Sequence, residues 1–120
     1  MDIIELRTYC LSKPYTEECL PFDENTLVFK VMKKMFALLS LDEPAYPRLN
    51  LKCDPELAIE LREKYTCINP GYHMNKKLWN SITVDGSVSD DLIKSWIDHS
   101  YNEVVKKLPK KLQSEINTTK

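Results

Sequence analysis

Three segments between Leu27 and Cys53 repeat their side-chain pattern with a period of two, and this periodicity restricts the possible folds more than any other feature. Residues 27–31 and 36–39 flank Met32-Lys33-Lys34, and residues 48–53 follow after a loop. A period of two places successive side chains on opposite faces of a strand. The pattern predicts a hairpin and a further strand, and it is compatible with an earlier short strand over residues 17–20.

Other segments repeat apolar residues every three to four positions, which is typical of amphipathic helices. Asp2 and Glu5 form a capping-box pair for a first helix, which ends at Pro14. Ser89 caps the last helix, which ends before Pro109 and leaves His99 facing solvent. Its predicted inward stripe consists of Ile93, Trp96, Ile97, Ser100, Tyr101, Val104 and Leu108.

The middle helix begins at Asp54-Pro55, because aspartate accepts the first free amides and proline fits the first helical position. We expect it to bury Leu57, Ala58, Leu61 and Tyr65. The opposite, charged face is interpreted as solvated and carries Glu56, Glu60, Arg62, Glu63 and Lys64. Residues 69–71 then predict a loop, and residues 79–84 predict a strand closed by the Asp85-Gly86 turn.

These elements predict an α+β fold of two layers, in which helices cover one face of an antiparallel sheet. The 120 residues have room for a single domain, which we assign to residues 1–112. Residues 113–120 are expected to form a polar, frayed C-terminal tail.

Charges interrupt every apolar run, so no segment reaches the roughly 20 apolar residues of a membrane span, and the first residues lack a signal-peptide pattern. We therefore expect a cytoplasmic protein with no membrane partner. In that compartment the four cysteines are expected to remain reduced thiols, mostly in the core. The formal net charge of −1 means that nucleic-acid binding would need a local basic patch.

Candidate catalytic and metal-binding residues do not combine into a site. Asp98-His99-Ser100 has the residue types of a hydrolase triad, but consecutive helical residues cannot hydrogen-bond in line. Cys67 and His73 are too few ligands for zinc. The two glycines, Gly71 and Gly86, cannot form a glycine-rich phosphate loop. We therefore predict a protein that is not an enzyme and uses no cofactor.

Residues 69–80 combine lysines, a histidine, aromatic rings and amides within twelve positions. Lysine suits phosphate, an aromatic ring suits a stacked base, and asparagine suits a base edge. The alternative is that Tyr72 and Trp79 anchor a loop to the core while Lys76 and Lys77 are solvated. Four more lysines lie at the proposed hairpin tip and on neighbouring strands, where they could equally keep a sheet edge soluble: Lys30, Lys33, Lys34 and Lys52.

Five motifs spread over nearly the whole chain resemble, in order, those of the MmcQ/YjbR family. They are Pro21-Phe22 at the end of the stretch from Glu17, Lys34-Met35-Phe36-Ala37, Leu51-Lys52-Cys53-Asp54-Pro55, Gly71-Tyr72-His73-Met74-Asn75-Lys76-Lys77 with Trp79-Asn80, and His99-Ser100-Tyr101 ahead of Leu108-Pro109. The resemblance implies the order α-β(3)-α-β(2)-α, a YjbR-like fold similar to the secretion-chaperone-like arrangement. It also implies DNA binding through a double-wing motif, because the family is described in those terms.

Two positions depart from the family pattern. Lys33 stands where a glycine is frequent, so it would be strained by about 1 kcal/mol if that turn needs a positive φ. Leu78 stands where a histidine is frequent before the tryptophan, which removes a polar contact.

The resemblance and the basic loop together predict a non-enzymatic DNA-binding protein, whose hairpin wings contact phosphates. The expected contact residues are Lys30, Lys33, Lys34, Lys52, His73, Asn75, Lys76, Lys77 and Trp79. The alternative partners are another protein or a second copy of the chain, bound at an exposed sheet face or edge. A small-molecule pocket near Tyr72, His73 and Trp79 is a third hypothesis. DNA binding requires the lysines to gather on one side of the folded chain.

Overall fold

The computed structural model describes residues 1–20, 24–42, 45–71 and 74–118. In chain order its elements are α1 (Ile3–Leu11), β1 (Thr16–Cys19), β2 (Thr26–Val31), β3 (Lys34–Ser40), β4 (Arg48–Lys52), α2 (Pro55–Lys64), β5 (Ile68–Pro70), β6 (Trp79–Thr83), α3 (Asp90–Val105) and α4 (Lys110–Thr118). The predicted α+β class is confirmed. The order differs from the expected one in two respects, because four strands precede α2 and a fourth helix follows α3.

A single antiparallel sheet carries six strands in the order β1-β2-β3-β4-β6-β5. One face packs against the helices and supplies Phe29, Leu39, Leu49 and Ile82 to the main core. The opposite, outer face holds a second cluster of buried residues, formed by Val28, Leu38 and Trp79. Within the described residues, no helix combines the length and apolarity that a bilayer crossing requires.

The β2–β3 connection is a two-residue turn with left-handed backbone at both positions. Met32 has φ 48° and Lys33 has φ 70°. This is the backbone of the hairpin turn that matches strand twist and favours glycine or asparagine. The positive φ that the family pattern suggested for this turn is therefore present at Lys33. Its backbone has a conformation that L-residues rarely adopt.

Helix starts and the inward face of α3 agree with the sequence pattern. Of the residues expected to be buried by α2, Ala58 is buried, whereas Leu57, Leu61 and Tyr65 are half-buried. Asp2 and Glu5 form the complete capping box of α1, and the Asp54 side chain accepts a hydrogen bond from the Leu57 amide at the start of α2. Ser89 caps α3. The residues predicted as its inward stripe are buried without exception, and Ser100 is fully inaccessible to solvent. These caps and stripes are local signals, which explains their success.

Residues 113–118 do not form the expected tail, and positions 119–120 lie outside the described residues. Helix α4 runs over Lys110–Thr118, and Ile116 is 2% exposed within the main core. The physical reason is the four-residue spacing of Leu112 and Ile116, which puts both on one helical face toward the core. The Gln113 side chain also donates hydrogen bonds to the carbonyls that end α3, at 3.1 Å from Lys106 O and 2.7 Å from Leu108 O.

Two further expectations are corrected by long-range contacts. Arg62 is not solvated, because its Nε donates to Asn80 Oδ1 at 2.6 Å and its Nη2 donates to the carbonyls of Lys76 and Trp79. Residues 69–71 are not wholly a loop, because β5 pairs with β6 as a short edge strand. Both contacts join segments whose partners are distant in sequence, so local periodicity could not reveal them.

Candidate nucleic-acid interface

Both hairpin connections lie at the same end of the sheet. Because all neighbouring strands are antiparallel, the C-terminal ends of β2, β4 and β5 meet the N-terminal ends of β1, β3 and β6. The two-residue β2–β3 turn and the connection 71–78 between β5 and β6 therefore lie at this end of the sheet. We call it the hairpin end, defined by Lys33, Lys34, Lys52, Lys76 and Lys77.

The five lysines of the hairpin end come from three chain segments. Lys33 and Lys34 are exposed at the first turn, and Lys76 and Lys77 are exposed in the second connection. Lys52 ends β4 between them and is half-buried. The backbone N–H of Cys53 donates to Leu78 O at 2.8 Å, which fixes the second connection against the end of β4.

Lys30 does not belong to this group. It lies on the outer face of β2, where the β1–β2 register places Glu17 directly opposite it. Cross-strand neighbours of opposite charge on one face attract each other. Lys30 lies close to the first turn, one residue before the end of β2, and it is kept apart from the five lysines only because Glu17 offsets its charge.

The C-terminal half of α3 adds charges that the sequence pattern did not single out. Ser100 Oγ accepts from the Lys52 N–H at 2.8 Å and donates to Phe36 O at 2.5 Å, so this half of α3 lies against the ends of β3 and β4. Lys107 follows Ser100 in the turn after α3. Burial lowers the pKa of Lys52, and the charge of Lys107 lowers it further, with a smaller effect from Lys34; Glu103 opposes them.

Lys107 was missed because lysines at the end of a helix have an ordinary explanation in the helix dipole. Glu103 was missed because a glutamate on a helix is usually exposed, whereas here it is 9% exposed. The Lys106 Nζ lies 2.5 Å from Glu103 Oε2 and pairs with it. The buried carboxylate is therefore engaged locally.

The second connection is held by its own polar groups. Asn75 Oδ1 accepts from the Lys77 N–H at 2.9 Å, and Lys76 Nζ donates to Gly71 O at 3.0 Å. The Arg62 guanidinium of α2 donates to Asn80 Oδ1 and to the Lys76 carbonyl, and so holds this connection against α2. Two residues predicted to act here, Tyr72 and His73, lie outside the described residues.

Trp79 is a core residue and not an exposed ring. It is 6% exposed and packs with Val28 and Leu38 on the outer sheet face, where Met74 and Leu78 cover it. The core-anchor alternative is therefore confirmed for Trp79, and the expected base contact through its ring is wrong because neighbouring side chains occupy its faces. Leu78, the departure from the family pattern, contributes to this apolar cover.

The triad-like sequence on α3 has three separate sets of partners. Asp98 Oδ1 accepts from the Tyr9 hydroxyl at 2.6 Å and pairs with Lys13. His99 is half-buried instead of facing solvent, because its Nε2 accepts from the Asp54 N–H at 3.2 Å. Ser100 bonds to backbone, as given above. The three side chains thus stabilise three different contacts and do not bond to one another.

The cysteines and potential metal ligands are also dispersed. All four cysteines are free thiols, and burial raises the pKa of Cys10 to about 12 and of Cys53 to about 11. A thiol with a pKa that high stays protonated and unreactive at neutral pH. In the part of the chain that the structure describes, no three histidine, cysteine or acidic side chains are grouped to hold a metal ion.

Comparison with known proteins places this architecture in a family. The family model YjbR matches residues 11–103. The chain belongs to the YjbR family. YjbR of Escherichia coli (strain K12) is 37% identical over 109 residues, which are 91% of this chain and 92% of that protein. YbdF of Escherichia coli O157:H7 is 39% identical over 106 residues, which are 88% and 86% of the two chains.

Solved structures agree with this YjbR-family assignment. The crystal structure of a Deinococcus radiodurans protein with a DUF419 domain matches at a TM-score of 0.89 and 41% identity, covering 97% of this chain and 88% of that one. A crystal structure of a Pseudomonas syringae protein matches at a TM-score of 0.73 and 31% identity, covering 83% and 96%. The similarity spans the sheet and helices that form the hairpin end.

Proposed function

We propose that this YjbR-family protein is a non-enzymatic, cytoplasmic DNA-binding protein whose hairpin end contacts the phosphate backbone. The observation that carries the proposal is the convergence of two hairpin connections and five lysines at one end of an antiparallel sheet. A chain with a net charge of −1 attracts polyanions only through such a local concentration of positive charge. The four free cysteines suit a reducing compartment.

The proposed contacts are to phosphates rather than to bases. Lysine is a flexible point charge that neutralises phosphate without reading sequence. The Trp79 ring is buried and does not provide base readout. Asn75 Oδ1 holds a local turn, and the exposed side-chain amide of Asn75 stays in the set as a prediction from sequence. Lys30 is left out of the contact set because Glu17 lies opposite it. His73 stays in the set as a prediction from sequence.

Fluorescence anisotropy with a labelled duplex, repeated across salt concentrations, tests the proposal. Each lysine–phosphate contact contributes about 0.9 to the slope of log K against log salt. The Lys76→Gln/Lys77→Gln variant should therefore bind more weakly and show a slope smaller by about 2. No binding by the wild-type protein at low salt, to either duplex or single strand, would refute DNA binding.

The matched control removes two lysines far from the hairpin end. Lys64 ends α2 and Lys94 lies early in α3, and both helix segments are at the opposite end of the sheet. Lys64→Gln/Lys94→Gln changes the net charge equally. It should leave the salt slope unchanged if position, and not total charge, decides binding.

A second candidate function is protein binding at the edge strand β1. Tyr15 and Leu20 flank this strand and are 47% and 49% exposed. An edge strand with apolar flanks can pair with an added strand. The outer sheet face suits this less, because Val28, Leu38 and Trp79 are already buried there. Light scattering at several concentrations tests self-association, and Glu17→Lys or Leu20→Asp should disrupt any dimer formed through this edge.

A further inference from the structure

We propose that Lys34, Lys52 and Lys107 together bind one phosphate group, at the point where the first hairpin meets the end of α3. This phosphate site rests on the proposed function in one respect, namely that the phosphate belongs to a DNA backbone. It differs from the double-wing interpretation in placing Lys107, from the turn that follows α3, beside two strand residues as a phosphate ligand.

The sheet brings the first two lysines together. β3 and β4 are neighbours, with Ala37 opposite Leu51, and Lys52 follows Leu51 directly. Lys34 begins β3 at the same end of the sheet. The registers place Lys34 opposite Val31 on the helix-covered face and Lys52 opposite Trp79 on the outer face. Adjacent strands lie about 4.8 Å apart, so a common ligand would lie just past the strand ends, where both long side chains can reach it.

Helix α3 brings the third lysine. Ser100 bonds simultaneously to the Lys52 N–H and the Phe36 carbonyl, which fixes the helix over the β3–β4 pair. The chain rises about 1.5 Å per helical residue, so the end of α3 at Val105 lies about 7 Å beyond Ser100 toward the hairpin end, and Lys107 follows in the turn after it. The charge of Lys107 reaches Lys52 strongly enough to lower its pKa.

The charges around this point favour an anion. The facing carboxylate, Glu103, is engaged by Lys106 at 2.5 Å. Among the described residues, no carboxylate lies within ion-pair distance of Lys34, Lys52 or Lys107. The charges of Lys34 and Lys107 both repel the half-buried Lys52 ammonium group. A phosphate would relieve this repulsion and accept a hydrogen bond from each Nζ.

Titration with inorganic phosphate, followed through the lysine side-chain Cε–Hε signals by NMR at constant ionic strength, tests the site. The signals of Lys34, Lys52 and Lys107 should shift together with one dissociation constant, and the Lys64 signal should not. Phosphate should also raise the pKa of Lys52. Absence of a saturable shift at these three lysines would overturn the phosphate site.

Single substitutions provide the second measurement. Lys52→Gln and Lys107→Gln should each weaken phosphate binding at least about tenfold, since each removes a charge-assisted hydrogen bond. Lys64→Gln removes the same charge elsewhere and should have no effect. An equal loss in Lys64→Gln would show that only total charge matters and would overturn the phosphate site. Backbone amide spectra verify that each variant is folded.

Adding unlabelled duplex separates this inference from the proposed function. If DNA displaces phosphate, both are supported. If phosphate binds at the three lysines but DNA neither binds nor competes, the phosphate site stands for a free phosphate compound, and the DNA proposal fails. If DNA binds while phosphate leaves the three lysines unshifted, DNA binding stands and the phosphate site is refuted.

Discussion

Gly71 is the residue whose substitution should most directly disturb the hairpin end. A Cβ built at this position would lie 2.7 Å from Trp79 Cβ and 2.9 Å from Trp79 O. These are atoms of the backbone and of a side-chain root, so they cannot move without shifting β6. The Gly71 N–H donates to Trp79 O at 2.9 Å, which shows that the close approach belongs to the β5–β6 pairing itself.

Gly71→Ala should destabilise the protein by about 1–3 kcal/mol, the usual cost of forcing an added methyl into a packed site. Alanine also lowers the conformational entropy of the unfolded chain, which raises the free energy of unfolding by about 0.4–1 kcal/mol. The expected net decrease in the free energy of unfolding is therefore roughly 1–2 kcal/mol. The shift should also displace Lys76, whose Nζ donates to Gly71 O, and thus weaken DNA binding beyond the stability change. Urea unfolding measures the first effect and anisotropy the second.

Gly86→Ala is the matched control. Gly86 has open space around its Cβ position but a φ of 85°, so alanine there is strained only by backbone conformation. It should cost about 1 kcal/mol and leave DNA binding intact, because Gly86 lies at the opposite end of β6. If the urea unfolding midpoint of Gly71→Ala equals that of the wild-type protein, the steric reasoning is refuted.

Three further changes test other parts of the fold. Lys33→Gly should stabilise the protein by about 0.5–1 kcal/mol, because glycine relieves the positive φ, whereas Lys33→Ala should not. Both remove the same charge, so equal urea midpoints would contradict the strain argument. Ser100→Ala should cost about 1–3 kcal/mol by leaving the Lys52 N–H and Phe36 O without their partner, against almost nothing for the exposed Ser95→Ala. Because burial raises the pKa of Cys10 from 9.0 to about 12, the folded state favours the protonated thiol; stability should hold below pH 9 and fall as the pH rises toward 12. That alkaline fall, followed by urea unfolding, should be shallower in Cys10→Ala, and an unchanged pH slope would contradict burial as its cause.

Much of the architecture is encoded locally. The Asp2, Asp54 and Ser89 caps, the inward stripe of α3 and the β2–β3 hairpin all depend on residues within a few positions of one another. Backbone hydrogen bonding and side-chain periodicity act over that range, so the sequence alone was enough to predict them. The positive φ at Lys33 was suggested by the resemblance to a family pattern in which glycine is frequent at that position, and not by local periodicity.

Other features depended on where distant segments meet. Arg62 was expected in solvent until α2 was seen to lie against the 75–79 connection. For Trp79 the sequence favoured a core anchor over a base contact, and the sheet decided for the core by placing it beside Val28 and Leu38. Whether Lys52 approaches Lys107 is decided by how α3 crosses β3 and β4. Local preferences carry no information about such distances, since they are set by strand order and helix packing. The sequence by itself thus determined most of the elements and their caps, although not β5 or α4, whereas only the tertiary structure decided which lysines lie at the same end of the sheet.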